Sequence, residues 1–342
     1  MRALVYEGPY TMPLEVVDDP VLKSDQILVQ VKDVGICGSD VHGYRGTTGR
    51  RVPPIIMGHE FSGVIVAVGS SVTGRKIGDR GVISPLLTCG ICESCLAGKP
   101  NICQDRHCLG VDMNGSYAEY ISVHHSMVHT LPDSVSFEQG AMVEPLSVSM
   151  HAVNQTPFDL SASVVIIGAG TIGLLALLCA KMKGAGQIIL VDTDAYRLEF
   201  AKKLGATHTI NAAQSDPVQM VKTITNGVGA DAVFEAVGIS ATANQSLYIA
   251  KNGGNVTWIG NSQPEVQINM QQIVTRELHL RGSYGFTTEF NASLEAIRLN
   301  RIDPMVLVEK EISLDEASQM IDDLAKGKEH FIKVLINQGL AN

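Results

Sequence analysis

The chain has 342 residues, of which 45% are hydrophobic and 18% charged, and a formal net charge of -9. At roughly 150 residues per domain this length fits about two domains, and the composition excludes a disordered chain. The acidic balance argues against a nucleic-acid partner, which needs a basic face.

Met1 to Pro9 lacks the apolar run of a secretory leader, so a cytoplasmic protein is expected. Leu4–Tyr6, Gln26–Val34 and Glu60–Val68 are β-branched or apolar runs bounded by Gly, Pro or Asp and read as strands. Glycines at 58, 63, 69, 74, 78 and 81 punctuate the region, which predicts an antiparallel, β-rich lobe with long loops. Within it, Cys89, Cys92, Cys95 and Cys103 fall inside fifteen residues. Four thiolates at such spacing can wrap one ion tetrahedrally, and zinc suits an all-sulfur set. With every position filled by protein, this zinc is expected to be structural. Cys108 and Cys179 have no such partners and are expected to pack as small apolar groups.

From about Ser161 the texture changes. Leu160 to Ala180 carries no charge for 21 residues, long enough to span a bilayer. Gly168, Gly170, Thr171 and Gly173 interrupt it, however, so a buried strand, a tight turn and a buried helix are expected, and no membrane partner. Strands at Val164–Ile167, Gln187–Asp192, Thr207–Ile210, Ala232–Ala236, Asn255–Ile259 and Leu278–Arg281 alternate with helical stretches, among them Ile172–Lys183 and Ala195–Leu204. Such alternation predicts a parallel, doubly wound sheet. The run Gly168-Ala169-Gly170-Thr171-Ile172-Gly173 sits between strand and helix, where Gly168 would make the turn, Gly170 admit a pyrophosphate and Gly173 allow close packing. Asp192 ends the next strand, where its carboxylate would accept from ribose hydroxyls and repel a 2′-phosphate, so NAD is expected over NADP. Arg197 lies one helical turn further on and could line the adenine. After Tyr284, helices at Phe290–Leu299 and Leu314–Leu324 and a strand at Phe331–Ile336 are expected to return to the first lobe.

Spacing alone leaves Cys37-Gly38-Ser39-Asp40-Val41-His42 and Gly58-His59-Glu60 ambiguous, since a lone Cys or His is most often a packed or hydrogen-bonded residue. Taken with Gly35-Ile36 ahead of Cys37, the four-cysteine spacing, Gly115-Ser116-Tyr117-Ala118-Glu119-Tyr120, Glu144-Pro145-Leu146 and the glycine fingerprint, they make the chain resemble the zinc-containing medium-chain alcohol and polyol dehydrogenases. That family includes sorbitol, galactitol-1-phosphate and threonine dehydrogenases, and the resemblance covers essentially the whole chain. It implies an α/β protein with a GroES-like β-rich catalytic domain over 1–150, completed by 287–342, and a Rossmann doubly wound parallel-sheet domain over 151–286. It implies NAD and two zinc ions per chain, the second one catalytic and held by Cys37, His59 and Glu144. In alcohol dehydrogenases proper a cysteine stands where this chain has Glu144. Glu60 would ligate transiently or hold a zinc-bound water.

The implied reaction is hydride transfer from a secondary alcohol of a polyol to NAD. Ser39 would take the released proton and pass it through the cofactor ribose to His42, whose ordinary pKa lies near neutrality. A homodimer or homotetramer is implied, with the strand near Leu278 to Arg281 as an interface. Sorbitol dehydrogenases carry a Phe-Arg-Tyr stretch that matches Tyr284-Gly285-Phe286 here, without its arginine. Arg45, Arg50 and Arg51 lie between Cys37 and His59, and guanidinium groups suit phosphate or carboxylate. The substrate reading is therefore an alditol, an alditol phosphate or a sugar acid. A threonine- or butanediol-type enzyme and a non-catalytic NAD-binding descendant are the alternatives.

Overall fold

The computed structural model describes residues 1–340. The chain forms two compact units, one of Met1–Glu144 with Phe290–Asn342 and one of Pro145–Glu289.

The first unit is built on a seven-stranded sheet. Its order is Val128–Thr130, Arg80–Ile83, Glu60–Val68, Gln26–Gly35, Lys333–Asn337 and Val308–Ile312, with Tyr120–His124 also paired to Gln26–Gly35. Ile27, Val29 and Val31 alternate with half-buried neighbours along the central strand and enter the core, as a strand with one apolar face should. A bulge between Val31 and Asp33 changes the register, so that Val34 rejoins the core and Asp33 is buried as well. The C-terminal helix Leu314–Lys326 and strand Lys333–Asn337 belong to this unit, so the tail does return to the first lobe.

In the second unit six parallel strands run in the order His208–Asn211, Gln187–Asp192, Ser163–Ile167, Ala230–Glu235, Ala250–Trp258 and His279–Gly282. This is the doubly wound dinucleotide-binding order. Val164 to Ile167 and Ile188 to Val191 are all buried, which is why these strands read as unbroken apolar runs rather than alternations. The uncharged stretch 160–180 divides into the strand Ser163–Ile167 and the helix Thr171–Lys183. No helix among the described residues is long and apolar enough to cross a membrane.

Asp33 is the anomaly in the first unit. It is 3% exposed, and its Oδ1 has no hydrogen-bond partner. Burial pushes its carboxyl up to about 7, and the charges of Glu138 and Glu311 add to that against Lys32. An acid with a raised folded-state pKa loses stability as pH rises, because the unfolded chain ionises near pH 4 while the folded one holds its proton. Asp33→Asn should therefore gain stability relative to the parent from pH 4 upward, levelling above pH 7 at about 4 kcal/mol. Denaturant unfolding at pH 4 and pH 8 checks this, and a constant difference would refute it.

Candidate functional site

Strand register gathers the first cluster. Gly35 pairs with Glu60 on one side and with Leu335 on the other. Two residues past Gly35 the chain reaches Cys37, one residue before Glu60 stands His59, and two residues before Leu335 stands Lys333. Three strand ends thus bring together side chains that are remote in sequence. The donor atoms of Cys37, His59 and Glu60 all lie within 4.8 Å of one another. Lys333 forms an ion pair with Glu60 Oε2, both side chains being almost fully buried, and its Nζ also donates to the Ile36 carbonyl at 3.2 Å. Gly35 is required here: a Cβ on it would run into the Glu60 carboxylate and come within 2.9 Å of Lys333 Nζ.

Cys37 caps the helix Gly38–Tyr44, its Sγ accepting from the Ser39 amide at 3.4 Å. Asp40, on the same helix, is fully buried. Its Oδ1 accepts from Arg51 Nη2 at 2.6 Å and lies 3.5 Å from His59 Nδ1, and its Oδ2 accepts from Tyr117 at 2.8 Å. Burial alone would raise the Asp40 carboxyl, but His59 and Arg51 hold it well below the usual carboxylate range. His59 is buried with Nδ1 lacking a close partner. A carboxylate behind an imidazole that shares its other side with a thiol and a second carboxylate is the donor arrangement that a zinc ion takes.

Glu144 stands in the first turn of the helix Val143–Gln155. It is outside the tight trio of donors, yet close enough for His59, Glu60, Lys333 and Asp40 to act on it. Burial, with the charges of Glu60 and Asp40, pushes it up to about 7 against the pull of His59 and Lys333. Ser39 is exposed, and His42 is half-buried three residues along the same helix face. Burial, then the charge of Arg45, lowers the His42 imidazole.

The four-cysteine lobe forms a second cluster. All four Sγ atoms lie within 4.8 Å of one another, with Cys89 to Cys103 at 3.5 Å and Cys92 to Cys103 at 3.8 Å. Tetrahedral zinc–thiolate geometry places sulfurs about 3.8 Å apart, close to these two separations, so the donor set suits one ion. All four cysteines are free of disulfides. Cys108 and Cys179 stand outside the set, and burial pushes their thiols up to about 11 and about 12.

In the second unit the fingerprint opens the helix Thr171–Lys183, with Gly170 as its N-cap and Thr171, Ile172 and Gly173 as its first turn. Gly168 has φ +99°, and a Cβ on Gly173 would strike the Gly168 carbonyl. The amides of this turn and the helix terminus form an anion cradle. Asp192 Oδ2 accepts from the Ala169 amide at 2.6 Å and Oδ1 from the Asp194 amide at 2.9 Å, so the carboxylate is fixed against the turn. Arg197 Nη1 lies 3.8 Å from where a Gly170 Cβ would sit, over the glycine turn.

Two sequence expectations need correction. Arg51, read as an anion-binding loop residue, is buried and bonded to Asp40, to the Gly110 carbonyl at 2.9 Å and to the Ser39 carbonyl at 3.0 Å. Arg45 donates to the Ala325 carbonyl from Nε at 2.9 Å and from Nη2 at 2.5 Å. Only Arg50 of the three is exposed. Sequence reasoning gave Tyr117 no role beyond its place in a motif, and it missed Lys333 and Glu235, the latter a buried carboxylate that accepts from the Val237 and Gly238 amides at the end of its strand. A lysine inside the apolar run Phe331 to Ile336 is the one available signal for Lys333.

Comparison with known proteins shows the family of both units. Residues 23–133 match the alcohol dehydrogenase GroES-like domain family and residues 171–298 the zinc-binding dehydrogenase family. The sorbitol dehydrogenase of Bacillus subtilis is 36% identical over 341 residues, covering 98% of this chain and 97% of the relative. The structure of galactitol-1-phosphate dehydrogenase from Escherichia coli superposes with a TM-score of 0.90 at 30% identity, covering 98% of this chain and 100% of that one. That of a zinc-binding dehydrogenase from Sinorhizobium meliloti, bound to NADP, does so at 0.90 and 32%, covering 98% of each chain.

The buried ion pair makes a direct prediction. Lys333→Met leaves Glu60 charged and unpaired and should cost about 3–5 kcal/mol, whereas adding Glu60→Gln should restore most of it. Unfolding of Lys333→Met, Glu60→Gln and the double variant against the parent measures the coupling. Additive losses would show that the pair does not act as a unit.

Proposed function

The chain belongs to the zinc-binding alcohol dehydrogenase family with a GroES-like domain, and on that basis we propose that it oxidises a secondary hydroxyl of a polyol or sugar-derived alcohol with NAD as hydride acceptor. The observation that carries this reading is the set Cys37, His59 and Glu60, half-buried at the cysteine and buried at the other two, backed by Asp40 and neighboured by Glu144. Cys37 and His59 would hold a catalytic zinc, with Glu144 or Glu60 as the acidic ligand. Zinc in such a set supplies a Lewis acid that polarises an alcohol oxygen. The four cysteines would hold a second ion with no position left for substrate.

The chain's own groups do the rest. Asp40 orients the His59 ring. Ser39 and His42, on one face of the helix that Cys37 caps, suit removal of the substrate proton, the imidazole exchanging it with solvent. Asp192 favours NAD: a 2′-phosphate would meet a carboxylate that the Ala169 amide holds in place. Arg197 over the turn adds positive charge beside the pyrophosphate position. Among the described residues, strand His279–Gly282 ends its sheet with one edge unpaired, and we assign that edge to a second copy of the chain, as a homodimer or part of a homotetramer.

Three measurements test the reading. Elemental analysis of active protein should give two zinc equivalents per chain, and a single equivalent held by the four cysteines would reject the catalytic ion. Cys37→Ser and His59→Ala should each abolish NADH formation across a panel of alditols, alditol phosphates and sugar acids while NAD binding persists. Undiminished turnover in either variant would contradict the assignment. Asp192→Ala should move the NAD-to-NADP ratio of kcat/KM at least about tenfold toward NADP, in keeping with the loss of hydrogen bonds to a charged group. An unchanged ratio would remove Asp192 from cofactor selection.

A further inference from the structure

We propose that Arg51 is a positioning residue that locks the metal ligand His59 and the proton-carrying Ser39 into one frame. The proposal rests on the catalytic-zinc reading above. Arg51 is flanked by the exposed Arg50 and Val52, yet its own side chain is only 3% exposed. Burying a guanidinium is costly unless its donors are met, and here they are met by two segments, the helix Gly38–Tyr44 and the loop at Gly110. Nη2 binds Asp40 Oδ1 at 2.6 Å, Nη1 binds the Ser39 carbonyl at 3.0 Å, and Nε binds the Gly110 carbonyl at 2.9 Å. Nη2 also comes within 3.5 Å of Ser39 Oγ. Gly43 leaves room for this group, since a Cβ there would come within 2.7 Å of Arg51 Cδ and Nη1.

The bonds converge on one carboxylate. Arg51 holds Asp40 Oδ1 and Tyr117 holds Oδ2, so Asp40 has little freedom to turn. The fixed Oδ1 faces His59 Nδ1 at 3.5 Å. A carboxylate held there favours a proton on Nδ1 and leaves Nε2 as the free donor for a metal. Through the Ser39 carbonyl the same arginine pins the first turn of the helix that Cys37 caps and that carries the Ser39 hydroxyl. One cation therefore orients the imidazole ligand, the start of the thiolate-bearing helix and the proton-accepting hydroxyl. Lysine could reach Asp40 but could not bridge both carbonyls as well.

The test is chelator competition on the full-length zinc protein, under conditions in which the four-cysteine ion stays bound, with cobalt(II) spectra of the exchangeable site. Arg51→Met should weaken the exchangeable ion about 10- to 100-fold and alter the cobalt spectrum, the range found when outer partners of metal-bound histidines are removed. Arg51→Lys should recover part of the affinity, and Tyr117→Phe should show a smaller loss in the same direction. If Arg51→Met fails to fold, the Tyr117→Phe titration and spectrum decide alone. Wild-type affinity and spectrum, with loss confined to thermal stability, would make Arg51 merely structural and overturn the proposal. So would tighter binding, which would mean that its charge opposes the metal. A wild-type protein with no exchangeable ion would instead refute the catalytic-zinc reading itself, and this proposal with it.

Discussion

A carboxylate and an ammonium, Glu60 and Lys333, meet where three strands of the first unit end, and the candidate metal set is arranged around that pair. Such a pair is a poor source of stability, because desolvation consumes most of its Coulomb energy. Its value lies in charge balance. The carboxylates of Asp40, Glu60 and Glu144 outnumber the Lys333 and Arg51 cations paired with two of them. Burial first, and then the charges of Glu60 and Asp40, push Glu144 up to about 7 against the pull of His59 and Lys333.

The same balance explains why Gly35 and the register matter more than any single ligand. A one-residue slip between Gln26–Gly35 and Glu60–Val68 would turn Glu60 to the other face and leave Lys333 alone in the interior. The apolar faces of Ile27, Val29, Val31 and Val34 oppose that slip, since they would leave the core together. The hydrophobic pattern of the sheet thus fixes the chemistry at its end, although none of those residues takes part in it.

Features whose partners are near in sequence are legible in the amino-acid order itself. The glycine turn, Asp192 and the four cysteines lie within short segments, and their elements follow from local pattern: Gln187–Asp192 and Ala195–Leu204 fall at the residues where apolar runs and the N-capping Asp194 put them. Cys37, His59 and Glu144, with Glu60 beside them, are suggested by resemblance, since spacing does not bring residues 37 and 59 together; that Glu60 rather than Glu144 sits in the tight trio comes from strand register. Lys333 and Arg51 are not legible in this way, because their meaning is set by strand register and by carbonyls 12 to 297 residues away. Arg51 misleads for a physical reason. Three arginines in a glycine-rich loop look solvated, and nothing local announces that the Ser39 and Gly110 carbonyls wait in the interior to satisfy one of them.

The placement of these arginines bears on the substrate. A phosphate or carboxylate would draw on Arg45, Arg50 and Arg51 together. Arg45 caps the carbonyl of Ala325 and Arg51 is saturated by Asp40, Ser39 and Gly110, so neither can turn to an anion without abandoning buried partners. Arg50 alone remains exposed, and a single solvated guanidinium is weak recognition for a dianion.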